Sequence, residues 1–224
     1  MDRMTWLLGG AMAALLSLGG ARDDVRTLAD WENGVPETWE SQVFDGVTRY
    51  VVREGDRGAS IEAIAEDSAS CLYREVEIDV TRTPHLRWSW RVDELPDLDE
   101  SERTKAGDDY AARIYVVREG WFGPLTAKAI DYVWSTREPV GTRWPNAFAS
   151  SAIMWAVDQG EARLGEWVQH TRNVREDWKV AFGEDLDRLD GIAIMTDADN
   201  SDSRARARFG SIRFCETASC GDSE

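Results

Sequence analysis

The chain has 224 residues, enough for one well-packed domain and too few for two large ones. Its formal net charge of -16 argues against nucleic acid and against an electrostatic hold on anionic lipids, since both attract clusters of Lys and Arg. With only two His, a three-histidine metal centre is excluded.

The chain opens with Arg3, an apolar run over 6–18, and small residues at Gly19, Gly20 and Ala21. That is the pattern of a secretory signal peptide over 1–21, too short for an ordinary membrane span. No second apolar run of spanning length follows. The expectation is an exported protein, periplasmic or secreted, with a single domain over 22–224, no integral span after cleavage, and a monomeric state.

Period-two alternation then predicts strands over 25–33, 48–53, 61–65 and 73–80, with turns at Asn33-Gly34 and over 54–58. The segment 86–92, LRWSWRV, is the clearest: Leu86, Trp88, Trp90 and Val92 share one face, Arg87, Ser89 and Arg91 the other. An acidic stretch over 94–104 reads as an exposed, mobile loop. It leads into KAGDDYAARIYVV at 105–117, where a polar start turns into a strand that carries Arg113 among apolar residues. A charge there needs a partner or an exit to solvent, so the strand either has one wet face or lines a cleft.

Further strands are predicted over 128–135, 151–157, 166–171, 191–196 and 204–214, with a bulge at Gly210. The segment 136–148 reads as a long loop holding Trp144 and Asn146. One helix is predicted over 173–182, capped by Asn173 with Glu176 at capping-box spacing, striped by Val174, Trp178 and Phe182, and ended by Gly183. About ten short strands and one short helix point to an all-β, two-sheet β-sandwich of the jelly-roll kind. Three Cys leave one unpaired: Cys215 can pair with Cys220 or with Cys71, which otherwise reads as a buried small hydrophobe.

Three constellations could carry function. Lys105, Asp108, Asp109 and Arg113 could clamp a sugar or an acid, or form a buried ion pair. Sequence neighbours on a strand point to opposite faces, so Asp108 and Asp109 are not expected to act on one bond together. Asp197, Asp199 and Asn200, with Asp202, offer oxygen ligands at the short spacing a calcium ion uses, or form an Asx-rich turn. The central Gly and final Glu of a helix-loop-helix calcium loop are missing. Eleven Trp exceed what a core of this size requires, and Trp134 and Trp144, beside Asn146, are the rings best placed to stack on a saccharide.

The order of LRWSWRV, KAGDDYAARIYVV, AIDYVWS, Trp144-Pro145-Asn146, RNVREDW and GIAIMTDADN with FGSIRF resembles the DUF3047 family, bacterial exported proteins of unknown function. The chain departs from that family's pattern in lacking a Gly after Asn200 and in having Ser211 between Gly210 and Ile212. The closing strand–turn–strand is also similar to galactose-binding-like jelly-roll carbohydrate-binding modules. That resemblance implies a structural calcium held between an opening segment, here Asp30 and Glu32, and the end of the chain. The function expected is non-catalytic binding of a carbohydrate or similar polar ligand. The alternatives are a polysaccharide-acting hydrolase or lyase and a structural protein of the cell envelope.

Overall fold

Alternating apolar side chains need a second layer to cover them, and this chain supplies it by folding strands into two facing sheets. The structure, a computed structural model, describes residues 24–120 and 123–220, so the expected signal peptide lies outside the described residues. In chain order the elements are β1 (Val25–Ala29), β2 (Glu40–Asp45), β3 (Arg49–Arg53), β4 (Ser60–Glu66), β5 (Ala69–Asp79), β6 (His85–Glu94), a 3-10 turn (Lys105–Gly107), β7 (Ala112–Gly120), β8 (Gly123–Ser135), β9 (Arg143–Pro145), β10 (Ala152–Gln159), β11 (Val168–Asn173), α1 (Val174–Phe182), β12 (Arg188–Asp197) and β13 (Arg204–Cys215).

One sheet runs β11-β6-β13-β4-β3, with β1 also paired to β13; the other runs β2-β5-β12-β7-β8-β10-β9. All the pairings are antiparallel except that of β10 with β8. The core between the sheets takes Leu86, Trp88, Trp90 and Val92 from β6, and Ala205, Ala207 and Phe209 from β13. Opposite them stand Ile114 and Val116 of β7, Ile130, Tyr132 and Trp134 of β8, and Ile192 and Ile194 of β12. This is the all-β two-sheet sandwich with one short helix that the periodicity predicts.

The cap of α1 forms as its sequence requires: the Asn173 side chain accepts a hydrogen bond from the Glu176 amide, and Gly183 adopts the left-handed conformation while donating to Lys179. The ladder between β13 and β6 slips between Phe209 and Ile212, at the expected bulge. Cys215 and Cys220 form the disulfide, and Cys71 is free and buried. Among the described residues no helix is long and apolar enough to cross a membrane.

Three local expectations change. β2 and β9 lie where no strand is predicted: every residue of β2 is exposed, and β9 has three residues, too few for an alternation to be read. The acidic loop is anchored rather than wholly exposed. Leu98 and Glu102 are buried, and the Glu102 carboxylate accepts from Ser135 Oγ (2.7 Å) and from the amides of Thr136 (2.9 Å), Arg137 (3.0 Å) and Glu138 (3.1 Å). It ties the loop to the end of β8.

Candidate functional site

The alternation that sends Ala112, Ile114 and Val116 of β7 into the core turns Arg113 and Tyr115 onto the other face of the seven-stranded sheet. On that face Asp131 of β8, Met195 and Asp197 of β12, and Ala69 of β5 join them around a pocket of about 410 Å3. Loops and an edge strand form its walls: Asp108 after the 3-10 turn, Asn146 and Phe148 after β9, Asp199 and Asn200 after β12, and Phe44 and Asp45 from β2.

Asp108 is delivered by a tight passage. A Cβ on Gly107 would lie 2.4 Å from the Ser101 carbonyl oxygen, so only glycine lets these backbones approach this closely. The buried Asp108 carboxylate accepts from Asn146 Nδ2 at 3.1 and 3.0 Å and lies 3.5 Å from Arg113 Nη1. The Asn146 side-chain oxygen in turn accepts from the amides of Phe148 and Ala149, both at 2.9 Å, which fixes the amide's orientation.

Arg113 is the pivot. Its Nε donates to Asp197 Oδ1 at 3.0 Å, its Nη2 donates to Asp197 Oδ2 and to the Asp108 carbonyl, and its guanidinium lies 4.3 Å from the Tyr110 ring centre. Burial works against its charge, but the fields of Asp197, Tyr115 and Asp108 override this and raise its pKa, so it stays cationic.

The neighbouring carboxylate has a different job. Asp109 accepts from the Asn200 amide (3.2 Å) and Nδ2 (3.1 Å) and from the Ser201 amide (2.7 Å) and Oγ (2.6 Å). It holds the β12–β13 turn in place from behind, while Asp108 faces the pocket. They diverge as expected, although both lie between the 3-10 turn and β7 rather than on a strand.

Four pocket carboxyls are shifted toward the neutral acid, among them Asp197, where burial outweighs the pull of Arg113. Burial raises Asp131 to about 8, and its Oδ1 accepts no hydrogen bond among the described residues. Burial, with Asp109 nearby, raises Asp199 to about 6. Asp108 is raised as burial outweighs the pull of Arg113 and Asn146.

The structure thus brings Asp108, Arg113, Asn146, Asp197, Asp199 and Asn200 into one pocket, merging constellations that lie far apart in sequence. Lys105 is exposed, with Nζ 5.0 Å from the ring centre of Phe148. The two Trp rings require correction. Trp134 is fully buried, packs near Trp90 and donates Nε1–H to the Gly160 carbonyl at 3.0 Å; Trp144 is buried with Tyr110 and Met154 and is covered by Arg103. Neither offers a ring face to a ligand. The exposed rings at the pocket are Phe44 and Phe148, 63% and 58% exposed, which sequence reasoning missed along with Tyr115 and Asp131. Asp131 gave the same signal as Arg113, a charge inside an apolar strand.

For a metal, the described residues hold one group of three acidic ligands, Asp109, Asp197 and Asp199, with oxygens within 4.8 Å of one another. Asp109 and Asp197 already accept from turn donors and from Arg113, so a calcium ion would compete with those donors. The opening segment does not join this group. Asp30 and Glu32 are exposed, and Asp30 Oδ1 accepts from the Glu32 amide at 3.3 Å. Between them Trp31 is buried and donates to the Gly210 carbonyl at 2.8 Å. Asp30 and Glu32, expected as calcium ligands, therefore belong to no group of metal-ligating side chains among the described residues.

The family pattern of DUF3047, described as a protein of unknown function, matches residues 37–213. No curated protein matches the chain. Among solved structures, the chain is similar to a family 30 carbohydrate-binding module of a cellulosomal cellulase of Clostridium thermocellum, with 8% identity over 85% of this chain and 96% of that one at a TM-score of 0.49. It is also similar to a thermostable cellulase derived from that of Rhodothermus marinus, with 12% identity over 86% and 96% at 0.47. A mutant family 29 carbohydrate-binding module gives 11% identity over 87% and 93% at 0.44. Likeness at this level assigns neither ligand nor activity.

Proposed function

This chain belongs to the DUF3047 family, whose function is unknown, and we propose that it binds a carbohydrate or similar polar ligand in the pocket on the outer face of its seven-stranded sheet. One observation carries the reading: Asp108, Asn146 and Arg113 converge on a sheet-face pocket rimmed by the exposed rings of Phe44 and Phe148. Planar amide and carboxylate groups held by their own hydrogen bonds suit the fixed hydroxyls of a sugar, and flat rings suit its C–H faces. The burial of Trp134 and Trp144 removes the indole platform, so stacking rests on the Phe rings. The leader-like residues 1–21 support a setting outside the cytoplasm for this binding, in the periplasm or beyond the cell.

A glycan-array screen of the folded protein, followed by calorimetric titration, tests the proposal. The expected result is a response confined to one saccharide class, weakened about 3- to 10-fold by Phe148→Ala, in line with the ~0.5–1.5 kcal/mol of a ring contact. A blank array from folded protein would sink the reading. Hydrolysis of the bound saccharide is the second reading. It is favoured by Asp131 and Asp199, which titrate near 8 and 6 in the same pocket and so can hold a proton for a leaving group. New reducing ends released from the array hit would establish it.

A further inference from the structure

We infer that the pocket selects a saccharide bearing a primary ammonium group, an amino sugar. The inference rests on the saccharide reading above and narrows its ligand class. Asp45, Asp108, Asp131, Asp197 and Asp199 all line the pocket, and Arg113 is the one lining cation among the described residues. That guanidinium is already committed to Asp197, to the Asp108 carbonyl and to Tyr115 Oη at 3.4 Å. Lys105 stands outside the lining, over the Phe148 ring.

Two carboxyl oxygens on residues that line the pocket lack a donor among the described residues. Oδ1 of Asp131, on a residue 1% exposed, and Oδ1 of Asp199 are buried and accept no hydrogen bond among the described residues. A carboxylate oxygen removed from water without a donor is unfavourable until a proton or a cation arrives. A neutral sugar hydroxyl brings one hydrogen bond and no charge, whereas an ammonium brings three donors and the missing positive charge. A uronic acid or a sulfated sugar would place like charge against the lining carboxylates. The surplus of negative charge on the whole chain draws in the same class of ligand.

The test is calorimetric titration of the full chain at about pH 6, where a sugar amine is protonated and can displace the proton that burial keeps on Asp131. Four probes of equal length are compared: a glucosamine oligomer, its N-acetylated counterpart, a cello-oligosaccharide and a galacturonate oligomer. The glucosamine oligomer should bind at least about tenfold more tightly than its N-acetylated form, a difference of ~1.4 kcal/mol, with galacturonate weakest. The Asp131→Asn, Asp199→Asn double variant keeps nearly all of the protein's negative charge and should lose that preference. Equal binding of the free and N-acetylated oligomers overturns the inference and leaves the saccharide reading standing. Failure of all four probes overturns both. A preference that survives in the double variant also overturns the inference, because it shows that the two carboxyls lacking a donor do not set the selectivity.

Discussion

Asp131 faces Tyr115 across the β7–β8 ladder, with its Oδ1 withdrawn from water and without a hydrogen-bond donor among the described residues. Burial raises its pKa to about 8, against ~3.9 for an unfolded aspartate. Between those values the native state binds a proton that the unfolded chain releases. Its contribution to stability is therefore fully present below about pH 4 and is lost as pH rises through about 8. Asp131→Asn removes the titration while keeping shape. The variant should gain in melting temperature over the parent at about pH 8–9 and show little difference at about pH 4. A parent and variant that respond identically to pH would show that this carboxyl is solvated in solution. Arg113 makes the opposite kind of residue-level contribution: it stays charged because Asp197 and Asp108 surround it, and it organises both into the pocket wall.

At the scale of the strand, period two states which residues share a face and leaves open which face is the core. In β8 the reading placed Trp134 beside the loop that follows, as an exposed ring. Its parity partners Ile130 and Tyr132 are core, and Trp134 goes with them, while Asp131 turns outward. Trp134→Ala should accordingly lower stability by about 3–5 kcal/mol, read by denaturant or thermal unfolding. A melting temperature near that of the parent would restore the exposed platform. The elements with strong local signals were legible: LRWSWRV as β6, the Asn173 cap and Gly183 stop of α1, and the bulge by Gly210, whereas Cys215–Cys220 was one of two pairings that the spacing left open. β2 was not, because a wholly exposed edge strand has no apolar rhythm. The pocket itself was legible only as separate pieces. Arg113 and Asp197 meet because β7 pairs with β12, setting Arg113 opposite Met195, and no local pattern encodes a partner some eighty residues away.

Over the whole molecule, 42 acidic residues against 26 basic ones leave the folded state self-repelling. Two electrostatic effects then oppose each other as salt is added. Exposed pairs such as Arg82–Asp24 and Lys128–Glu184 weaken, but each contributes ~0–1 kcal/mol. The buried Arg113–Asp197 pair is shielded from the solution ions and changes little. Repulsion among the surplus carboxylates acts over longer distances, and the Debye length falls from ~10 Å at 0.1 M to ~3 Å at 1 M, so this is the part that salt removes most completely. Stability should therefore rise with sodium chloride. A gain of about 1 kcal/mol between low salt and ~0.5 M would appear as a shift of about 2–4 °C in melting temperature for a chain of this size. A melting temperature that falls with salt would mean that the surface ion pairs outweigh the repulsion. Attraction of a cationic ligand should respond in the opposite sense: the same screening that steadies the fold weakens the field drawing an ammonium toward the pocket, so its association rate should fall as salt rises.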